Sequence, residues 1–524
     1  MKQQPLFSSD EIFKAVPPHL LAQMTKEEML QFFDAQQRVI ESFRRDNERL
    51  HARLGELEQR ILLVDGQYIE LKNKIYGKSS EREPVNQDGD KDRATVSRPS
   101  KTRVLLPSQR YPDAQLIERE VTLQELPLCG CCSAQMEDSG MTEDSEFLTV
   151  VPAQYIVVRQ KRHKYRCGKC HGEIKTAPAP RRITPGSSYS DAMVVDVALS
   201  KYCDLIPVER YAAIAGRGGT PGLPPQSLIE TTHELADFVG EAYRGLKEEI
   251  LQARVLHADE TPHRMLEGDD KSRWYLWGFS SRETAYFECH DTRSGDVSAD
   301  LLTHSKCEYL MSDVYSGYGR SVRIINEVRR AAAMPLIQSG HCNAHCRRYF
   351  KKAKEGGAME AQFFVDCYKE IYRLEDEAKG KPEALVLEFR AQMGSHFGAM
   401  RDRALADVAA HSAKSKLSKA MNYLLGNYRE LTLFMGIAEL PIDNNAQERL
   451  LRSPVVGRKT WYGTHSKRGA LTAAILFSLV ESCKLVEVNP REYFKSLVED
   501  LHAGKRAYTP CVFKLQLASV SAAA

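Results

Sequence analysis

The 524 residues carry 73 Lys and Arg against 70 Asp and Glu, with 42% hydrophobic residues and 13 cysteines. A chain of this length and apolar content divides into several domains with real cores, which excludes wholesale disorder. A net charge of +3 excludes a uniformly basic packaging protein, though basic surfaces can still be local.

The apolar run Leu471 to Val480 is too short to cross a membrane, so no span is expected. Residues 1–10 lack the basic start and apolar core of a secretory signal, which points to a reducing cytoplasm. There, Cys-x-x-Cys pairs mean metal rather than disulfides.

Residues 25–76 read as one long helix. Phe33, Ile40, Leu54 and Ile61, with Asn47 in register, fill one heptad position, and Phe43, Leu50, Leu57 and Val64 fill the other. The pattern predicts a coiled-coil arm over 1–76, with a lone seam Asn setting register, and a homo-oligomer built through it. A helix packed on its own chain would show the same stripe. The polar stretch 77–104 belongs to a linker over 77–125.

Cys129 with Cys132, and Cys167 with Cys170, supply four thiolates for a closed zinc site in a module over 126–182, with Cys131 spare. Strands are predicted at 146–151, 154–158 and 163–166, giving a zinc-ribbon-like arrangement, although the 34 intervening residues exceed the usual spacing. Arg159 to Arg182 holds nine Lys and Arg and one acid, Glu173. Beside a zinc knuckle such a run suits phosphate, and Lys161, Arg162, Lys164 and Arg166 are the candidates. A helical connector follows over 183–252, with helices at 192–202 and 226–251 around the breaker-rich 216–225. Two helices around a turn is also the layout of a helix-turn-helix.

Residues 253–505 change character. Strands are expected at 254–258, 274–279, 285–289, 308–311 and 336–341, with a helix at 294–304 before the fourth. Three strands, a helix and two more strands is the order of a ribonuclease-H-like core in a multidomain α/β chain. A long helical insertion occupies about 343–440, and 506–524 reads as a tail.

Asp259 closes the first strand and Asp313 the fourth, and in this order those strands are neighbours. Such carboxylates can hold two Mg²⁺ ions, with Mn²⁺ as a substitute, for phosphoryl transfer. A third acid is needed. Asp443 or Asn444 caps a short helix, and Glu448 lies about one turn in. Arg449 to Gly469 then has six basic residues and no acid; Arg449, Arg458, Lys459 and Trp461 suit a DNA end. Glu260 should point away from Asp259, as a supporting or surface group. His257 shares the Asp259 face, either packed or near substrate. Cys342, His345 and Cys346 could form a second metal site but show no fourth ligand. Tyr315, Ser316 and Tyr318 are expected to shape the turn after Asp313.

Several blocks together resemble the DDE transposases of the insertion-sequence 66 family along most of the chain. They are Ile75 to Glu81, the double Cys-x-x-Cys module closing at Pro180, Ser200 to Tyr202 with Pro207, and Leu256 to Pro262. Ser312 to Tyr318, Cys342 to Phe350, Pro441 to Arg449 and Gly457 to Trp461 complete the set. The resemblance implies a bacterial enzyme, acting at the nucleoid in the cytoplasm, that binds terminal inverted repeats and cuts and joins double-stranded DNA. It implies that Asp259, Asp313 and Glu448 are the metal-binding acids, and that accessory proteins of the same element can be partners. His345, Arg347 and Arg348 match a block implied to position DNA. Asn343 and Cys346 depart from it, standing where the family usually has Trp and Ala. The competing readings are a zinc-dependent DNA-binding regulator with an inactive core and a structure-selective nuclease.

Overall fold

The computed structural model describes residues 23–76, 174–266 and 273–523, with short stretches between 106 and 167. By its contacts the chain forms two units, one of residues 1–78, 164–211 and 224–524 and a smaller one of 79–163 and 212–223. In the smaller unit the Ser108 amide and hydroxyl both donate to the Glu146 carboxylate, at 2.8 and 2.9 Å.

In the larger unit, helix α1 (Lys26–Tyr76) runs unbroken. Thr25 and Glu28 cap it reciprocally, the Thr25 amide and hydroxyl each donating to the Glu28 carboxylate at 2.8 Å. Phe33, Ile40, Phe43, Leu50, Leu54, Leu57 and Val64 of the heptad stripe are exposed, while Phe32 beside them is buried. The Ile61 side chain lies outside the described set.

Of the predicted zinc-module strands, the third is observed: Lys164–Arg166 pairs antiparallel with Ile174–Thr176, bracketing the second cysteine pair. The described parts of the other two, 146–149 and 154–158, are not strands.

The connector holds α2 (Asp191–Tyr202), α3 (Val208–Arg217), α4 (Pro225–Phe238) and α5 (Gly240–Gln252). The helix expected over 226–251 is therefore two, broken at Val239, and α3 was not foreseen.

The central sheet has five strands: β1 (Val255–Arg264), β2 (Arg273–Ser280), β3 (Ala285–His290), β4 (Tyr309–Ser312) and β5 (Gln338–His341). Their order is β3-β2-β1-β4-β5. The first three pair antiparallel, and β1-β4 and β4-β5 pair parallel. Helix α6 (Asp296–Leu302) links β3 to β4, and α7 (Ser316–Ala331) links β4 to β5. The expected adjacency of the first and fourth strands is thus observed.

The apolar run at 471–480 lies in α15 (Lys467–Leu485), a core helix in which nearly every residue from Gly469 to Cys483 is enclosed. This helix also manages an edge. The Phe287 and Ala285 amides of edge strand β3 donate to the Ser478 and Ser482 hydroxyls at 2.9 and 3.0 Å, which blocks further strand addition. Among the described residues no single helix is long and apolar enough to cross a membrane.

The insertion contributes α8 (Asn343–Glu355), α9 (Ala361–Ala378), α10 (Glu383–Asp407), α11 (Lys416–Gly426) and α12 (Tyr428–Thr432). They enclose a second core around Phe350, Phe364, Tyr368, Phe397 and Phe434. The departures at Asn343 and Cys346 belong to it. Cys346 is fully enclosed, and Asn343 Nδ2 donates to the Leu431 and Ile442 carbonyls at 2.9 and 3.0 Å. Both residues serve packing here.

Helices α13 (Asn445–Leu450), α14 (Arg452–Trp461), α15 and α16 (Pro490–His502) return to the sheet. Within the stretch expected as a tail, residues 510–523 form α17 (Pro510–Ala523), anchored by buried Phe513 stacked on Tyr508.

Candidate active site

Strand register brings the first two acids together. The parallel pairing of β1 with β4 ends at His257 with Met311, and Asp259 and Asp313 each follow two residues later. Asp259 does not close its strand, as expected from sequence; β1 continues to Arg264 along β2. Among the described residues the β4 pairing on that side of β1 ends at His257, so Pro262, which lacks an amide donor, is tolerated there. Asp313 is turned by local bonding, its Oδ1 accepting from the Tyr315 amide at 3.0 Å.

Glu448 arrives on α13, a helix too short to hold itself in place. It is pinned to the sheet by side chains. Asn444 Nδ2 donates to the Ala258 carbonyl at 3.0 Å, and Asn444 Oδ1 lies 2.7 Å from His257 Nδ1. Gln447 Oε1 accepts from the Ser280 hydroxyl at 2.5 Å. Asn444 is therefore a crosslink rather than a side-chain cap, and His257 is a packed partner. Asp443 serves the turn instead, accepting from the Asn445 amide at 3.1 Å and from Tyr372 at 3.0 Å.

The fit of α13 depends on Gly278, where a Cβ would sit 2.3 Å from Gln447 Nε2 and 2.9 Å from the Phe287 ring. Gly278→Ala is expected to cost about 1–3 kcal/mol by overpacking, read as a lowered melting temperature. An unchanged melting temperature would show that α13 has slack.

Asp259, Glu260, Thr261, Asp313, His345 and Glu448 line one cavity of about 330 Å³, closed on another side by Leu451, Arg452 and Val455. Burial, followed by the neighbouring Glu260 and Asp313 carboxylates, pushes the Asp259 carboxyl up to about 8. Glu260 is a buried support, held by Arg293 Nε at 2.7 Å and the Tyr318 hydroxyl at 2.6 Å. Arg293 in turn lies over the Tyr315 ring at 4.0 Å. Nothing in the spacing of Arg293 and Tyr318 announced this triad.

Around Glu448, His345 Nδ1 stands 3.8 Å from Oε1 and Arg348 Nη2 3.9 Å from Oε2. The buried Oε1 has no hydrogen-bond partner. Arg347 lies over the Tyr372 ring at 5.0 Å.

The predicted residues of the basic stretch after Glu448 do not line the cavity. Trp461 is half-buried, edge-on to Tyr202 with Lys201 Nζ 4.3 Å over its ring, so it packs rather than standing free for a base. Arg458 is half-buried, whereas Arg449 and Lys459 are exposed. Arg468, of the same basic stretch, is taken up by Asp237 and Glu230 of α4. Lys161, Arg162, Lys164 and Arg166 are exposed. Cys132 and Cys167 are exposed, and Cys129 and Cys170 lie outside the described residues.

The sequence model described as "Transposase IS66 family" matches residues 186–472, more than half of the chain. The chain belongs to the IS66 transposase family. A second model, the zinc-finger binding domain of transposase IS66, matches residues 127–171, which supports structural zinc. The IS66 family and its zinc finger give the protein a transposase and DNA-binding role. Three uncharacterized proteins of Sinorhizobium fredii are similar. They are y4hP (25% identical, over 74% of this chain and 73% of the relative), y4jD (26%, 72% and 75%) and y4qI (28%, 76% and 75%). The matched transposase segment contains β1 to β5, the insertion and α13, hence every acid lining the cavity.

Proposed function

We propose that the chain is the catalytic transposase of an insertion element, cutting and joining DNA with Asp259, Asp313 and Glu448 in a ribonuclease-H-like core. The carrying observation is the convergence of three acids, from β1, the end of β4 and α13, on one cavity. Such a cluster is costly unless a cation or protons neutralise it.

The residues fit divalent metal. Glu448 Oε1 is buried without a partner, and Asp259 retains its proton to about 8. Carboxylate oxygens alone suit a hard ion such as Mg²⁺. When bound, divalent ions activate an attacking oxygen and neutralise charge developing at phosphorus. The protein's part is placement. Strand register fixes Asp259 and Asp313, the Asn444 and Gln447 crosslinks fix Glu448, and the Glu260–Arg293 pair stiffens the wall. Water and then a DNA 3′-hydroxyl serve as nucleophiles, so no protein nucleophile is needed.

Exposed Arg449, next in the chain to Glu448, and exposed Lys459 supply phosphate contacts, and Lys161 to Arg166 with the zinc finger recognise the inverted repeats. The domain boundaries follow this division: arm, linker, zinc module, connector, split catalytic core. The exposed heptad stripe of α1 supports pairing of protomers through a parallel coiled coil. Accessory proteins of the same element are candidate partners.

The test is Mg²⁺-dependent cleavage and strand transfer on a labelled transposon end. Asp313→Asn and Glu448→Gln are expected to bind the end and leave it uncut. Wild-type cutting by either variant removes that residue from the triad. A wild-type protein that binds ends but never cuts supports the regulator reading.

A further inference from the structure

Beside the three carboxylates lies a second donor set of different chemistry. Cys342 is the N-cap of α8 and His345 lies one turn into that helix. Cys342 Sγ, His345 Nδ1 and a Glu448 carboxylate oxygen all lie within 4.8 Å of one another. His345 Nδ1 and Glu448 Oε1 face each other at 3.8 Å, too far for a hydrogen bond, and both are buried with no hydrogen-bond partner. Two orphaned atoms turned toward one thiol call for something between them.

One backbone donor faces the sulfur, which accepts from the Asn444 amide at 3.2 Å. Such a donor stabilises a thiolate once its proton has left. Cys346, one turn on, points into the second core and takes no part.

We propose that Cys342, His345 and Glu448 form a binding site for a thiophilic divalent cation, zinc above all, distinct from the all-carboxylate site and competing with it for Glu448. Zinc takes sulfur, nitrogen and oxygen donors at about 2.0–2.3 Å in tetrahedral array, which sets donor atoms about 3.3–3.6 Å apart, so the three atoms need to draw together from their present separations. The open cavity leaves the fourth position to water. Binding releases one proton from the Cys342 thiol and forms the zinc–sulfur bond, with no change of oxidation state. Magnesium disfavours sulfur and nitrogen, so the two sites sort ions by hardness. Glu448 lies in both, and zinc at the thiol site turns it away from the other two acids. The binding stands on geometry alone; the inhibition that follows from it rests on the catalytic reading above.

The experiment uses the full chain with its zinc finger filled by zinc and excess metal removed. Titration with Co²⁺ is expected to raise a near-ultraviolet thiolate-to-cobalt charge-transfer band, absent from Cys342→Ala and from the near-isosteric Cys342→Ser. Identical cobalt spectra in wild type and both variants overturn the site. Serine still accepts the Asn444 amide, so a folding defect confined to the alanine variant leaves the comparison intact. In Mg²⁺-dependent cleavage, the zinc concentration for half inhibition is expected to rise at least about tenfold in Cys342→Ser through loss of one ligand. A cobalt band without zinc inhibition supports the site and counts against the catalytic role of Glu448.

Discussion

An Asp259→Asn protein is expected to lose DNA cleavage and yet melt at a higher temperature than the wild type in Mg²⁺-free buffer at pH 8. Both effects have one origin. Burial and the neighbouring acids raise the Asp259 carboxyl from 3.8 to about 8 in the folded protein. Between those values the folded chain holds a proton that the unfolded chain has released. Stability from this group is therefore full below about pH 4 and is lost as pH rises toward 8, on the order of 1 kcal/mol per pH unit. Asparagine keeps the shape, and its Oδ1 can still accept from the Glu260 amide, as Asp259 does at 2.9 Å. It carries no charge to repel Asp313 and Glu448. Added Mg²⁺ should raise the wild-type melting temperature by mass action, and more at pH 8 than at pH 6, because the ion must displace the proton. The variant should respond weakly at both. The check is a set of thermal melts with and without Mg²⁺ at the two pH values. Equal melting temperatures in Mg²⁺-free buffer at pH 8 would mean that the cluster carries no electrostatic strain.

How much of this was legible beforehand depends on the distance over which the information is carried. The strands showed in sequence because β-branched and aromatic runs are local signals. Even so, β1 runs six residues past its expected end at 258, because the apolar run gives way there to Asp259, Glu260 and Thr261, which carry no local strand signal. Asp259 and Asp313 were visible because strand order predicts which ends meet. Glu448 stood out as an acid about one turn into a short capped helix, but its membership of the triad came from the family resemblance. The anchors themselves, His257 with Asn444 and Ser280 with Gln447, span 187 and 167 residues, and no period or spacing encodes such pairs. Trp461 misled for a related reason. An aromatic among basic residues suits a nucleic acid, but Tyr202 and Lys201 from α2 already cover its ring. The split of one helix at Val239 into α4 and α5 is a local event, and Gly240 is its only sequence mark.

Arg390→Ala is expected to be the most destabilising single change within the insertion, and to weaken catalysis without touching the cavity. Arg390 of α10 is almost completely enclosed. Its Nε and Nη2 donate to Glu375 of α9 at 3.0 and 2.6 Å. Its Nη1 donates to the carbonyls of Phe434, Ile437 and Leu440 at 2.8, 2.7 and 3.0 Å. Those carbonyls belong to the turn that carries the chain out of the insertion, four residues before Asn444 and eight before Glu448. Removing the guanidinium leaves a partly buried carboxylate without its cation and takes one donor from each carbonyl, those of Phe434 and Ile437 keeping a backbone amide; breaking a buried pair this way costs about 3–5 kcal/mol. Lysine should not rescue, because one ammonium cannot span both a carboxylate and the turn. Denaturant unfolding gives the stability loss, and single-turnover cleavage well below the variant's melting temperature gives the catalytic effect. If cleavage there matches wild type while stability falls, the Asn444 and Gln447 crosslinks suffice to place Glu448, and the insertion serves the fold alone.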